Sequence, residues 1–451
     1  MGKFFGTDGV RGKANHEPMT TETAMGIGKA VACLLQNPQR RGPGLIIVGR
    51  DTRLSGDMIE HALIAGICSM GSNVMRAGVI PTPAIPLLAV QEKADAGIVI
   101  SASHNPYDDN GIKIFAGNGR KLSDEDEAIL EDLFLGGNFA SRRPPSDALG
   151  RVLPMNDAQR RYIDFLKGTF LPGETLAGMK IVLDCANGAA FQVGPAAFRE
   201  LGGDVITLFA DPDGININHE CGSQHPERLA EEVVRSGAHC GFAFDGDGDR
   251  VIAVDEKGQI LTGDMILAVC AQFMKEEGIL ANNLLVRTVM SNIGLTIALK
   301  ELGIDYVLTD VGDRYVLEAM LEKGASLGGE DSGHLLFLNH HTTGDGILSG
   351  LQVMGVMKNR KKSLSDLARI MTVYPQVLIN VETKSRPDLA TVPAVKKVIE
   401  DVETALQEKG RVLVRYSGTQ NLCRVMVEGP TPEETELYCR KIADVIKTEL
   451  G

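Results

Sequence analysis

Along most of the chain, short uninterrupted apolar runs alternate with segments whose apolar residues recur at helical spacing. "GLIIVGRD" (44–51) is such a run closed by a polar loop, the pattern of a buried strand. "SGDMIEHALIAGICSMG" follows it with helical spacing and a terminal Gly. "GIVISASHNP" predicts the next buried strand, and "SDEDEAILEDLFL" a helix capped by Ser123 with acids in its first turn. Residues 137–152, "GNFASRRPPSDALGRV", are polar, carry Pro144-Pro145 and predict a connector. Beyond them "MKIVLDCANGAA" and "HCGFAFDGDGDRVIAVDEKG" predict further strands. A third unit runs from "GDMILAVCAQF" through "NNLLVRTVMSN" to "ASLGGEDSGHLLF". After "LSDLARIMTVYPQ" the composition changes, and "VLVRYSGTQNLCRVMVEG" with "TPEETELYCRKIADVIKTEL" predicts a small strand-loop-strand and helix domain. Alternation of this kind predicts an α/β protein with largely parallel or mixed sheets.

One recurrence sharpens the pattern. "IVISASHN", "FAFDGDGD" and "LGGEDSGH" each place a Gly-, Ser- or Asp-rich loop after an apolar run. Open α/β sheets bind ligands beyond the carboxyl ends of their strands, so three related units could point three loops into one cleft. The length of 451 residues exceeds one ordinary core and agrees with several domains. A formal charge of −13 argues against a general nucleic-acid binder. Any anion must therefore be held by a few placed Arg and Lys residues. The eight cysteines include no C-x-x-C pair and read as reduced thiols of a cytoplasmic protein. "HECGSQH" brings His219, Cys221 and His225 close in sequence, but the ligand set is incomplete for zinc and a structured loop is expected. The N-terminus has no apolar core of a signal peptide, and no apolar stretch reaches membrane-spanning length, so no membrane partner is expected.

Candidate chemistry concentrates in the polar loops. Asp245, Asp247 and Asp249 fall at i, i+2 and i+4 with glycines between them, so their carboxylates crowd one side of the chain. Three such charges repel unless a hard divalent cation neutralises them, which points to Mg²⁺. An EF-hand is excluded, because Arg250 stands where that loop needs Gly and the flanks "GFAF" and "VIAV" read as strands. In "SASHNP", Ser101 and Ser103 are both possible phosphoryl acceptors, with His104 adjacent and Lys113 able to reach back. No Ser-His-Asp triad is readable. In "RYSGTQNLCR", Arg415 and Arg424 bracket Ser417, Gly418 and Thr419, a set of guanidinium forks, hydroxyls and N–H groups suited to a phosphate. "GGEDSGH" offers Glu330, Ser332 and His334 to sugar hydroxyls. Together these describe phosphoryl transfer on a phosphosugar. No Walker A motif or kinase Gly-rich loop accompanies them, which excludes a nucleotide-dependent kinase.

The combination "FGTDGVRG", "SASHNP", "DGDGDR", "GEDSGH" and "R-x-SGT-x-x-x-x-R", in that order, closely resembles the α-D-phosphohexomutases over essentially the whole chain. "NINHECGSQHPE" and "HHTTGDGILSGLQV" resemble the branch acting on glucosamine phosphate rather than the phosphomannomutase/phosphoglucomutase branch, which is the alternative, with a metal-dependent phosphohydrolase behind it. The resemblance implies four domains around a central cleft, three of them mixed-sheet α/β and the last a smaller α+β domain. The boundaries expected are 1–150 with a phosphoserine loop, 151–256 with a metal loop, 257–371 with a sugar-binding loop and 372–451 with a phosphate-binding loop. It makes Ser103 the phosphoserine and Ser101 a loop residue. It implies that Asp245, Asp247 and Asp249 bind a single Mg²⁺ together with a phosphoryl oxygen on Ser103. Arg11, Lys113 and Arg250 would serve phosphoryl transfer, with His104 and Lys113 both open as the general base. Glu330 and Ser332 would contact sugar hydroxyls. Arg415, Ser417, Gly418, Thr419 and Arg424 would hold the non-reacting phosphate. The implied reaction interconverts glucosamine 6-phosphate and glucosamine 1-phosphate through a 1,6-bisphosphate, for UDP-N-acetylglucosamine and cell-wall synthesis, in a monomer or homodimer. Tyr416, Gln420 and Asn421 depart from the family's "RPSGTEP", and the two lost prolines put the stiffness of that loop in question.

Overall fold

The structure, a computed structural model, describes residues 4, 6, 9–35, 42–417 and 421–451. They form two compact units, Met1–Met290 with Ile304–Arg369, and Ser291–Gly303 with Ile370–Gly451. The first unit holds three sheets. In the first, β2 (Leu45–Arg50), β3 (Asn73–Val79) and β4 (Ala96–Ile100) are parallel, and β5 (Asp109–Ala116) returns antiparallel along β4. β1 (Val10–Lys13) extends the sheet beyond β5, and β6 (Val152–Pro154) extends it beyond β3. The polar segment before β6 is thus more than a connector. It leads into a short edge strand with all three residues exposed, which leaves no periodic signal to read.

The second and third sheets repeat the plan. β7 (Lys180–Asp184), β8 (Asp204–Leu208) and β9 (Cys240–Phe244) are parallel, with β10 (Val251–Asp255) antiparallel to β9 and β11 (Ile260–Leu261) beyond it. β12 (Leu284–Thr288), β13 (Asp305–Thr309) and β14 (Leu327–Gly329) are parallel, with β15 (Leu335–Phe337) antiparallel to β14. Every sheet therefore has its third parallel strand beside the first, and that strand turns back into an antiparallel neighbour. The three polar loops fall at these turns. The strands leading into the first two, β4 and β9, are buried at every residue, which is why they read as unbroken apolar runs rather than alternating ones. The chain leaves the first strand of each sheet by a local bond: Asp51 accepts from Arg53 N (2.9 Å), Asp184 from Ala186 N (2.8 Å) and Thr288 Oγ1 from Met290 N (3.3 Å).

The second unit is an antiparallel sheet ordered β16 (Gln376–Glu382), β18 (Leu422–Glu428), β17 (Arg411–Tyr416), with helices Pro393–Leu406 and Pro432–Leu450. Val395, Val402, Val425, Cys439, Ile442 and Ile446 are fully buried in its core. Helix Ile293–Leu302 belongs to this unit: buried Glu428 accepts from Ile293 N (2.9 Å) and pairs with Arg411 (2.7 Å). The eight cysteines form no disulfide. Among the described residues, no helix is long and apolar enough to cross a membrane.

Candidate active site

Ser103 follows β4 and is buried, with φ of 54°. A left-handed conformation at a non-glycine residue costs roughly 1–3 kcal/mol and persists only where its surroundings dictate it. Here they do. Ser103 N donates to Ser101 Oγ (3.0 Å), whose hydroxyl donates to Asp51 Oδ2 (2.6 Å). Arg53, buried and paired with Asp51 (3.0 Å), donates to the carbonyl oxygens of Ser103 (2.9 Å), Asn105 (3.0 Å) and Pro106 (2.8 Å). Asn218, from the second α/β domain, donates to the carbonyls of Ser103 and Asn105, each at 2.9 Å. Ser101 is therefore a support of the loop, and the Ser103 hydroxyl is left to point away from it, donating to Asp245 Oδ2 at 2.6 Å.

The aspartate loop joins antiparallel strands β9 and β10, a hairpin and not a helix-flanked calcium loop. One carboxylate oxygen from each of Asp245, Asp247 and Asp249 lies within 4.8 Å of the others, and all three residues are buried. Gly246 permits the approach to the serine loop, since a Cβ there would stand 2.6 Å from the Ser103 carbonyl oxygen. Gly248, with φ of 72°, makes the turn between the last two carboxylates. Lys113 Nζ bridges Asp247 Oδ2 (2.8 Å) and Asp249 Oδ2 (3.0 Å). Asp247 Oδ1 is buried with no hydrogen-bond partner, and Asp249 Oδ1 has none nearer than the His334 imidazole at 3.5 Å. Buried carboxylate oxygens without partners are costly, and a hard divalent cation satisfies such a donor set. The residues fit the metal that the sequence predicts. Burial, then Asp249 and Asp247, push the Asp245 carboxyl well above its ordinary range. Burial acts on Asp249 in the same direction, but Lys113, His334 and Arg250 together hold it well below.

Two guanidinium groups, Arg250 and Arg11, act on the imidazole beside the serine. His104 Nδ1 is 3.3 Å from Ser103 Oγ and 3.2 Å from Arg250 Nη1. Because a guanidinium only donates, Nδ1 accepts. Burial, then the charges of Arg250 and Arg11, lower His104 to about 4, so the ring is neutral at pH 7. Arg11 stands on β1 opposite Gly111, and Arg250 N donates to Asp245 Oδ1 (3.1 Å). The third loop meets the second, as Val251 N donates to Gly333 O (3.0 Å). Glu330 and Ser332 are half-buried, and Glu330 Oε1 accepts from Gly312 N (3.0 Å). His334, grouped with them in sequence, is turned between two carboxylates, Asp249 (3.5 Å) and Asp313 (3.4 Å). Burial opposes its protonation, but these two raise its pKa.

In the second unit, Arg415 and Arg424 stand directly opposite on β17 and β18. Like charges across a strand pair are destabilising, so the pair calls for an anion. Arg424 Nε is buried without a hydrogen-bond partner among the described residues, and Ser417 is buried at the end of β17, its N–H donating to Leu422 O (2.8 Å). Gly418, Thr419 and Gln420 lie outside the described residues. The other two departures from the family pattern are anchored. Tyr416 Oη donates to Pro387 O (2.9 Å), and Asn421 Oδ1 accepts from Arg386 (3.1 Å).

Asp51, Arg53, Thr82, Asn218 and Asp313 escaped the sequence reading. Each acts on a partner 50 or more residues away, and although Asn218 lies within "NINHECGSQHPE" and Thr82 within "PTP", neither stretch tells which loop it reaches. The His219–His225 segment is the structured loop expected: Asn218, immediately before it, holds the serine loop, and burial pushes the Cys221 thiol up to about 12.

Comparison with known proteins gives matches along nearly the whole chain. Models of phosphoglucomutase/phosphomannomutase match domain I at residues 2–140, domain II at 160–258, domain III at 262–374 and the C-terminal domain at 378–445. A phosphoglucosamine mutase of Syntrophus aciditrophicus (strain SB) is 60% identical over 455 residues, covering 100% of both chains. A phosphoglucomutase/phosphomannomutase family protein from Burkholderia thailandensis superposes with a TM-score of 0.79 at 23% identity, over 98% of this chain and 97% of that one. The N-acetylphosphoglucosamine mutase of Aspergillus fumigatus, solved with GlcNAc-6P and magnesium, gives a TM-score of 0.71 at 18% identity, over 99% of this chain and 95% of that one.

Proposed function

The chain belongs to the phosphoglucosamine mutases of the α-D-phosphohexomutase superfamily, and from that membership we propose that it interconverts glucosamine 6-phosphate and glucosamine 1-phosphate with Ser103 as the phosphoryl carrier. The observation that carries the reading is Ser103 Oγ, 2.6 Å from the first of three clustered aspartates. The phosphoryl group on Ser103 passes to O1 of glucosamine 6-phosphate: the P–Oγ bond breaks as the P–O1 bond forms, and the O1 proton is released. In the return step the P–O6 bond of the 1,6-bisphosphate breaks as the P–Oγ bond to Ser103 re-forms, O6 takes up a proton to replace the one lost from O1, and glucosamine 1-phosphate is released.

Mg²⁺ held by Asp245, Asp247 and Asp249 would neutralise charge on the transferring phosphoryl group. Lys113, shared by two of these carboxylates, serves as a fixed cation, and Arg250, held by His104 Nδ1, faces the equatorial oxygens with Arg11. Both base candidates thus act by placing positive charge, and neither is assigned the proton. Glu330 and Ser332 read sugar hydroxyls, while Arg415, Ser417 and Arg424, with Gly418 and Thr419, hold the phosphate that is not reacting. The protein works in the cytoplasm as a monomer or homodimer, on a phosphosugar and without nucleic acid or membrane.

The test is a side-by-side mutase assay on the 6-phosphates of glucosamine, glucose and mannose, with Mg²⁺ and catalytic 1,6-bisphosphate. Preference for glucosamine 6-phosphate is expected. Preference for glucose or mannose would sink the assignment, and stoichiometric release of inorganic phosphate would make the protein a phosphohydrolase instead.

A further inference from the structure

The serine loop and the metal loop are each held by a side chain from the other loop's domain. Thr82, from the turn after β3 in the first α/β domain, meets Asp247 twice: Thr82 N donates to Asp247 O (2.8 Å), and Thr82 Oγ1 donates to Asp247 Oδ2 (2.5 Å). That same Oδ2 accepts from Lys113, which leaves Asp247 Oδ1 buried and directed to no protein donor. In the opposite direction, Asn218 of the second domain donates through Nδ2 to the carbonyls of Ser103 and Asn105. Asn218 has φ of 58°, a left-handed conformation in which Asn is far better tolerated than most residues. Thr82 is buried, so its hydroxyl has no water to fall back on.

We propose that Thr82 and Asn218 are a crossed pair of positioning residues for phosphoryl transfer. Thr82 turns Asp247 so that its free oxygen faces the metal position, and Asn218 holds the Ser103 backbone so that Oγ faces the same point. Neither touches the reacting atoms. Each sets the alignment of a group that does, and misplacement by about 1 Å at a reacting centre costs on the order of 10²-fold. The pairing explains why the two loops need a hydroxyl and a carboxamide at sites remote from the chemistry. Thr82 fixes one carboxylate rotamer by consuming its other oxygen, and Asn218 stabilises a backbone turn that a serine would otherwise avoid.

The inference rests on the phosphoryl-carrier role of Ser103 and on a divalent cation at the three aspartates. Its test is read separately from sugar preference. Mn²⁺ affinity of the full-length unphosphorylated protein, followed by electron paramagnetic resonance, should weaken about 10- to 100-fold in Thr82→Ala, because the Asp247 rotamer is released. Thr82→Ser, which keeps the hydroxyl, should recover the affinity to within about 2-fold. Asn218→Asp keeps the shape and the left-handed preference but removes the donor, and Asn218→Gly keeps only the backbone freedom. Both should bind Mn²⁺ within about 3-fold of the parent, yet take up phosphate at Ser103 from a hexose 1,6-bisphosphate on the order of 10²-fold more slowly, as read by intact mass. Their kcat should fall with KM little changed. Parental Mn²⁺ affinity in Thr82→Ala, failure of Thr82→Ser to recover it, or phosphorylation of either Asn218 variant at the parental rate would overturn the proposal. If the parent protein itself is not phosphorylated at Ser103, it is the underlying reading that fails.

Discussion

The loop carrying Ser103 and the loop carrying Asp245, Asp247 and Asp249 leave the same place in two sheets, yet they are built in opposite ways. Each joins the third parallel strand to an antiparallel one, β4 to β5 and β9 to β10. The serine loop takes its shape from side chains that bond its backbone: Arg53 and Asn218 on its carbonyls, Ser101 on its N–H. The aspartate loop takes its shape from glycines, and its side chains are spent on charge. A phosphoryl carrier, the role proposed for Ser103, needs one atom held in one direction, and this loop is over-determined by polar contacts. A cation site, the role proposed for these aspartates, needs several oxygens brought together, so its loop uses glycines for close approach and is steadied from outside by Thr82 on Asp247. The repeated sheet supplies a position, and the residues filling that position decide which chemistry it supports.

Substitutions can separate the two designs. Ser103→Ala should lower turnover by about 10⁴-fold or more, because the loop's other hydroxyl, Ser101, is committed to Asp51 and the Ser103 N–H. It should leave Mn²⁺ binding by the unphosphorylated protein near parental, as the three carboxylates remain. Gly246→Ala tests the contact between the loops. Its Cβ would stand 2.6 Å from Ser103 O and 2.7 Å from Asn218 Nδ2, so one loop must retreat, and kcat should fall on the order of 10²-fold. Unchanged kcat there would show that the loops tolerate separation and would weaken the comparison. Ser101→Ala is milder still. It strips a donor from Asp51 and an acceptor from Ser103 N, which should cost about 1–3 kcal/mol in urea unfolding while turnover persists at a reduced level. If Ser101→Ala silenced the enzyme as fully as Ser103→Ala, the division between carrier and support would be wrong.

The same contrast sets what was legible before the structure. Asp245, Asp247 and Asp249 announce themselves, since three carboxylates between apolar strands carry their electrostatic problem within five residues of sequence. The buried strands β4 and β9 were equally plain, because both faces are covered and no alternation interrupts them. Spacing alone could not separate Ser101 from Ser103. The distinction lies in Asp51, Arg53, Asn218 and Asp245, up to 142 residues away, and ahead of the fold only the family motif set the two serines apart. Short elements were also invisible: β6 is three exposed residues after a Pro-rich stretch, and it still closes a sheet edge. Helix Ile293–Leu302 carries a local cap in Asn292, yet its membership of the second unit could not be read. Its place is decided by Glu428, which caps it from a strand more than a hundred residues later.

The smallest effect concerns the two aspartates beneath the loops. Asp51 and Asp184 close β2 and β7 in the same way, each accepting from an N–H two residues on. Burial raises both pKa values, but Asp51 faces the Arg53 guanidinium and the Ser101 hydroxyl, whereas Asp184 faces the N–H groups of Ala186 and Gly222. Asp184 is pushed from its ordinary 3.8 up to about 7. The folded state therefore holds this proton between pH 3.8 and about 7 while the unfolded state has released it. The stability this provides is full below the unfolded pKa and is lost as pH rises through the folded one. Asp184→Asn removes the titration while keeping an acceptor oxygen for the turn. Urea midpoints taken at about pH 5 and about pH 8 should show the parent losing ground relative to the variant at the higher pH, with turnover little altered. Parallel midpoints for the two proteins across that range would mean that Asp184 stays ionised like a solvated carboxylate. In that case Asp51 and Asp184 would not differ in the way their partners require.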